Sequence, residues 1–323
     1  MTITSTALLN DQLYDLVIIG AGLAGLAAGR MAADAGLSCV ILDKGRRVGG
    51  RVASRHSDGF TFNHGAQFVT ADTDAFGKLL TDAEQARAAV QWQIDKGKTV
   101  IVGCPLMRQL PRFLASGLTI HQNITIKAIS RTAGHIQCRD DAGHHISARQ
   151  VICTAPAPQT ANLLAADFPN MAETAASAAY APCWTVMLGL ENDSDIPDMP
   201  VRAADHGIGW AMRETARPAA TQHRPALTIQ ADADWSTAHL DDPAEDVIAK
   251  LITQWQHATG CNLTGILHAR AHRWLYAKVI KTADPAGITC LNNLAVAGDW
   301  LGGPRVEHAF TSGIQAFQAL NAR

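Results

Sequence analysis

The stretch DLVIIGAGLAGLAAGRMAADAG, residues 15–36, limits what this chain can fold into more than any other. DLVII is an unbroken aliphatic run, the pattern of a parallel strand buried on both faces. GLAAGRMAADAG follows with helix formers, and Gly36 suits a helix end. Gly20, Gly22 and Gly25 therefore fall at a strand-to-helix turn, the context that gives G-x-G-x-x-G its meaning. Gly20 permits the tight turn, Gly22 lets a pyrophosphate approach the backbone, and Gly25 lets the helix pack closely on the strand. Ala21 and Ala24 complete this binding turn. Backbone N–H groups and the helix dipole hold the anion, so no side chain is needed. SCVILD then reads as a second strand ending in Asp43, 23 residues after Gly20, a spacing at which a carboxylate accepts from ribose hydroxyls. A ligand-free turn would explain the glycines alone. Strand, helix and acid together point to dinucleotide binding.

After Asp43 comes KGRRVGGRVASR. Gly49 and Gly50 with Arg51 behind them offer a second anion-binding loop and a fixed positive charge, the alternative being a basic surface turn. This extension resembles the motif that follows the second strand in flavoproteins of the amine oxidase superfamily. The resemblance implies FAD, with Lys44, Gly50 and Arg51 among its contacts. NLAVAGDWLGGPRVEHAFTSGIQAFQAL, residues 293–320, repeats the strand–loop–helix order, with apolar residues at 306, 309, 310, 314, 317 and 320 at helical spacing. The same resemblance implies that Gly298 and Asp299 hold the pyrophosphate and ribityl chain. It also implies that the helix start, Arg305, Val306, Glu307 and Ala309, faces the flavin, where a helix dipole stabilises negative charge. Glu307 itself could be only a dipole partner.

A cofactor site built from both termini predicts a discontinuous layout. The expected fold is α/β, a two-domain FAD-binding flavoprotein fold of amine-oxidase or hydroxybenzoate-hydroxylase type. Its Rossmann-like domain would comprise residues 1–70, 98–156 and 266–323, and its α+β substrate domain 71–97 and 157–265. Runs at 118–129, 135–139 and 145–154 read as a β-meander. Related flavoproteins contact adenine through a strand backbone there, and Ile126 is the candidate. Residues 160–265 alternate helix-like and strand-like runs, as in a sheet with helices that lids the flavin.

The 323 residues, 47% of them hydrophobic, suffice for one large core or two modest ones. A net charge of -2 gives no electrostatic case for nucleic acid or an anionic membrane. Seven scattered cysteines without a CxxC suggest mostly buried thiols in a reducing compartment, neither a disulfide frame nor a metal site. MTITSTALLNDQLYD lacks the basic start of a signal peptide, and the apolar run 16–29 is too short and glycine-rich to span a bilayer. The expectation is a soluble cytoplasmic monomer or weak dimer.

Several segments, DKGRRVGGRVASR, FNHGAQFVTA (62–71), APCWTVMLGL (181–190), WSTAHLDD (235–242), AHRWLYA (271–277) and AGDWLGGPRVEHAFTSG (297–313), resemble the bacterial renalases. These are small FAD-dependent oxidases near the amine oxidase superfamily, and the resemblance runs from about residue 15 to the end. It implies oxidation of 2- or 6-dihydro-NAD(P) to NAD(P)+, with hydride passing to flavin N5 and O2 reduced to peroxide. Such a substrate carries a reactive C–H bond, so the protein must position it and needs no strong base. No cysteine or histidine is placed for a flavin bond, so FAD should be non-covalent.

HGAQF should run beside the flavin through Ala66, Gln67 and Phe68. Gln67 either hydrogen-bonds the flavin or substrate amide, or is a turn residue with a satisfied amide. His272 would orient substrate, Arg273 would meet a phosphate, and Trp274 and Tyr276 would floor the site. Each has an ordinary packing or surface role as its alternative. Trp184 and Trp210 face the flavin or pack in the core. The competing functions are an amine oxidase and a non-catalytic flavin-binding regulator. Only three tyrosines (14, 180, 276) and no lysine between Lys127 and Lys250 depart from the amine oxidase pattern.

Overall fold

The computed structural model describes residues 12–322 except 96, 193–194 and 285–289. Most of the segment read as lacking a signal peptide, and the domain start at residue 1, lie outside the described residues. The chain opens with β1 (Leu13–Ile19), α1 (Leu23–Asp34) and β2 (Cys39–Asp43), then the hairpin β3 (Arg55–Ser57) and β4 (Phe60–Phe62). Helix α2 (Asp74–Gln85) precedes a second hairpin, β5 (Ala89–Asp95) and β6 (Lys98–Gly103), followed by α3 (Gln109–Leu114) and β7 (Ile120–Gln122). The meander is β8 (Ile126–Arg131), β9 (Ile136–Asp140) and β10 (His145–Cys153). Helices α4 (Ala157–Leu164) and α5 (Pro169–Ala176) lead to β11 (Ala179–Leu190), β12 (Val201–Ala203), β13 (Ile208–Arg213) and β14 (Ala226–Ala231). The chain then runs through α6 (Ala233–Ala238), α7 (Ala244–Thr259), β15 (Ile266–Lys281), β16 (Cys290–Leu291), β17 (Leu294–Val296) and α8 (Val306–Asn321).

The first sheet runs β16-β17-β10-β1-β2-β7, and β17, β10, β1, β2 and β7 are parallel neighbours. The apolar run of β1 explains its central place. Leu16 and Ile18 face one core, with α1, α2 and α8, while Val17 and Ile19 face another, with α4, α5 and the meander. A strand buried on both faces has no polar side to alternate with. The second sheet, β12-β13-β14-β11-β15, packs one face on α7.

Three boundaries differ from the sequence reading. Residues 118–129 are two elements: β7 joins the parallel sheet, and the chain turns at Asn123 (φ 60°) before β8. Residues 266–281, expected in the FAD-binding domain, form the long edge strand β15 of the second sheet, because they pair with β11 over its whole length. The boundary drawn at 97/98 cuts the β5–β6 hairpin, whose strands pair from Ala89↔Gly103 to Asp95↔Lys98. No helix among the described residues is long and apolar enough to cross a membrane.

Candidate functional site: a nucleotide cradle and a ring pocket

The two termini meet in a cradle of backbone. Gly20 (φ 106°) makes the turn after β1, and Gly22 begins α1 with no side-chain cap. Arg305 begins α8, also without a side-chain cap. Both helices thus keep first-turn N–H groups available to an anion. They touch backbone to backbone, since a Cβ on Gly313 would overlap the Ala24 carbonyl, and α1 presses equally on the turn before it, where a Cβ on Gly25 would overlap the Gly20 carbonyl. Gly50 lies over this turn, 3.5 Å from the Gly22 Cα to where its own Cβ would stand. Asp43, at the end of β2, accepts from Ala21 N (2.5 Å) and Gly45 N (2.6 Å). Arg51 donates to both oxygens of Asp299 (2.7 and 2.6 Å) and to the Tyr276 carbonyl (3.1 Å), joining the two ends of the chain. Uncapped helix starts, an open approach at Gly22 and an Arg–Asp pair suit a dinucleotide such as FAD.

Beside the cradle, the inner face of the second sheet carries a row of side chains. Residues directly opposite across an antiparallel pair share a face, and alternate residues along a strand change face. Cys183↔Trp274, Thr185↔His272 and Met187↔Arg270 place Trp274, His272 and Arg270 together on the inner face. The His64 ring, from the loop after β4, lies 5.3 Å from both the His272 and Trp274 rings, and His272 lies 4.4 Å from Trp274. His64 is buried, and its Nδ1 has no hydrogen-bond partner among the described residues.

That loop is held from several directions. The His64 carbonyl accepts from Trp274 Nε1 (2.9 Å), Gln230 Nε2 (3.2 Å) and Thr185 Oγ1 (3.3 Å). Buried Glu214 accepts from Asn63 N (2.9 Å) and Asn63 Nδ2 (2.8 Å). Ala66 N donates to the Arg51 carbonyl. A loop so constrained holds its rings in one geometry, which ring stacking against a ligand requires.

Both imidazoles are neutral at pH 7. Burial, then the charges of His272, Arg55 and Arg270, push His64 down to about 3. Burial, then Arg55 and Arg270, push His272 down to about 4. An unfolded histidine takes its proton near pH 6.5, whereas these two resist it until far lower. Their contribution is therefore intact above pH 6.5 and is lost as pH falls toward 4. The loss is up to about 1.4 kcal/mol per pH unit for His64, and less for the half-buried His272, which solvent screens. Melting temperature should drop steeply between pH 6.5 and 4, and a His64→Gln/His272→Gln variant should show a shallower drop. Equal slopes in the two proteins would contradict this.

The residues expected in one pocket are only partly together. His272 and Trp274 are. Arg273 is on the opposite face of β15, across from Trp184, and donates to the Leu240 carbonyl (2.7 Å); neighbouring strand residues cannot line the same pocket. Trp184 shares that outer face, packed toward α7, with Nε1 bonded to the His239 carbonyl, so it does not face the cradle. Gln67 donates to the Asn63 (2.6 Å) and Gly65 (3.0 Å) carbonyls and accepts from Arg217, so its amide is fully engaged within the protein. The Tyr276 ring meets Tyr180 at 5.5 Å instead of the three rings. Phe68 packs on Trp210, 5.5 Å away, in the large core.

At the cradle, Lys44 donates to Gln159 (2.9 Å). Buried Glu307 is more than a dipole partner: it accepts from Asp72 N, Thr73 N and Thr73 Oγ1 and so fixes the start of α2. Arg305 pairs with Asp72, beside Val306 and Ala309 in the first turn of α8. Ile126 is buried at the start of β8. Just before it, Asn123 N and Ile124 N donate to the Gly45 and Asp43 carbonyls. Only Cys138 and Cys153 of the seven cysteines are fully buried; the others are half-buried. His64, Glu214, Arg217, Arg55 and Arg270 were not singled out from the sequence.

The architecture is that of a Rossmann-like dinucleotide-binding unit beside a second sheet whose inner face carries three clustered rings. A family model for NAD(P)-binding Rossmann-like domains matches residues 18–82, and one for flavin-containing amine oxidoreductases matches residues 84–193. Residues 84–193 are thus similar to flavin-containing amine oxidoreductases, and residues 18–82 to NAD(P)-binding Rossmann-like domains. A stretch of 91 residues is 36% identical to a probable flavin-containing monoamine oxidase A of Dictyostelium discoideum, over 28% of this chain and 19% of that one. Another of 55 residues is 42% identical to a 4,4'-diapolycopene oxygenase of Methylomonas sp, over 17% of this chain and 11% of that one. The chain thus matches less than a fifth of the length of either curated relative. A redesigned putrescine oxidase superposes with a TM-score of 0.77 over 96% of this chain and 99% of its own, at 14% identity, a likeness of fold.

Proposed function

We propose that the protein is an FAD-dependent oxidase of isomeric dihydronicotinamides, 2- or 6-dihydro-NAD(P), forming NAD(P)+. The observation that carries this reading is the cluster of the His64, His272 and Trp274 rings on the inner face of the second sheet. Two imidazoles held neutral and one indole suit a planar, uncharged ring. FAD, when bound without a covalent link, would supply the electron sink: it would accept the hydride at N5 and pass the electron pair to O2, giving H2O2. The chain's own part is to stack and orient. His64 Nδ1 is buried without a partner among the described residues, and a carboxamide seated against the ring would supply one. Among the described residues no carboxylate hydrogen-bonds or ion-pairs with His64 or His272. A protonated amine would therefore meet the charges of Arg55 and Arg270, which already act on both histidines, with no counter-charge.

An amine oxidase is the second reading, favoured by the family model matched over residues 84–193. The test begins with acid precipitation, which should release all the flavin. The holoprotein is then mixed anaerobically with 2-, 6- and 4-dihydro-NAD(P) and with primary and secondary amines. The 2- or 6-isomer should bleach the flavin fastest, and the 4-isomer about a hundredfold more slowly, because an ångström-scale misplacement costs that much. An amine that bleaches it faster than every dihydronicotinamide replaces this reading. No bleaching by any donor points to a flavin-binding regulator.

A further inference from the structure

One step, about 7 Å, along the inner face of β15 from His272 stands Arg270, and one step beyond is His268. The β3–β4 hairpin lies over this end of the row, with the Phe60 and Phe62 rings 6.1 and 5.6 Å from His268. Arg55 projects from the same hairpin, opposite Phe62. Its charge is within reach of Arg270 and of Arg46 and Arg47 from the loop after β2. None of these four guanidinium groups has a carboxylate partner among the described residues. Elsewhere the chain pairs its arginines with acids: Arg51 with Asp299, Arg217 with Glu214, Arg305 with Asp72, Arg213 with Asp198. In a chain of net charge -2, four mutually repelling cations left together mark a place where an anion is bound.

We infer that Arg55 and Arg270, backed by Arg46 and Arg47, form a phosphate subsite that takes the pyrophosphate tail of a substrate whose ring lies against His64, His272 and Trp274. This rests on the dinucleotide reading of the ring pocket. Guanidinium forks match phosphate oxygens two at a time, and the row along β15 leads from ring site to cations without crossing the sheet. The buried, unpartnered Nδ1 of His64 at the inner end is an independent sign that the cleft receives a ligand.

The experiment uses FAD-loaded wild type and the Arg55→Gln/Arg270→Gln variant. The probe is ADP-ribose, which has the pyrophosphate tail and no nicotinamide, titrated by calorimetry at two salt concentrations. The variant should bind it at least about tenfold more weakly, with a reduced salt dependence. With 2- or 6-dihydro-NADP, KM should rise about tenfold. The rate with the corresponding phosphate-free dihydronicotinamide riboside should change less than about twofold. FAD content and melting temperature should match wild type. If no dihydronicotinamide reduces the flavin but ADP-ribose binding still depends on the two arginines, the functional reading fails and the subsite stands. Equal ADP-ribose binding by both proteins overturns the subsite. So does loss of FAD from the variant, which would assign the arginines to the cofactor.

Discussion

Replacing Glu214 with alanine is expected to lower the stability of the fold by about 3–5 kcal/mol, the cost of removing one partner from a buried ion pair. The Glu214 and Arg217 side chains are only 2% and 4% exposed, with Arg217 Nε 2.8 Å from Glu214 Oε2. The same carboxylate accepts from Thr228 Oγ1 (2.6 Å) and from both nitrogens of Asn63. Truncation would leave the Arg217 guanidinium buried without its counter-charge, bonded only to Gln67, and three other donors without this acceptor. The damage would reach the site, because Asn63 begins the loop that carries His64 and Arg217 holds Gln67. Glu214→Gln keeps one acceptor oxygen but replaces the other with an NH2 donor and loses the charge, so it should fall between alanine and wild type. Thermal melts decide it: the alanine variant should melt on the order of 10 °C lower. A melting temperature within about 2 °C of wild type would show that Arg217 finds another partner.

Why that residue escapes a reading of the sequence is a matter of distance along the chain. The two halves of the cradle are legible because each is written locally. DLVII before its glycines and LAVAGD before VEHAF each contain strand, turn and helix within about 30 residues, and backbone rules at that range are strong. Glu214 to Asn63 spans 151 positions, and Arg217 to Gln67 spans 150. No local pattern announces such a pair. The error over Arg273 is different, since a local rule prevents it. AHRWLYA offers one cluster of useful side chains only while the element that carries it is ignored. As a strand, its period of two sends His272 and Trp274 one way and Arg273 the other. The same step raises Arg270 as the partner of His272. The meander run fails at its turn: Asn123, in the left-handed region, is a signal available in the sequence, and it separates the strand that completes the parallel sheet from the one that begins the meander.

Gly22 offers a test that separates cofactor binding from folding. Its backbone is extended (φ -77°, ψ -178°), a conformation open to any residue. A Cβ placed there has no protein atom within 4 Å. Gly22→Ala should therefore fold with wild-type stability, within about 0.5 kcal/mol, because the loss of an N-cap glycine and the lower entropy of the unfolded chain are both small and opposed. The new methyl group projects into the space from which a pyrophosphate must approach the α1 N–H groups. Each hydrogen bond to a charged phosphate that the methyl group breaks is worth about 1.5–3 kcal/mol, so FAD affinity should fall about 10- to 100-fold. Gly313→Ala is the contrasting variant. Its methyl group would overlap the Ala24 carbonyl and force α8 away from α1, so both stability and cofactor binding should suffer, the former by about 1–3 kcal/mol. The measurements are the melting temperature of apoprotein and titration of apoprotein with FAD, followed by flavin fluorescence. A Gly22→Ala protein with unchanged melting temperature and weak FAD binding places the pyrophosphate over residue 22. Wild-type affinity in that variant would move the cofactor out of the cradle altogether, whatever happens at Gly313.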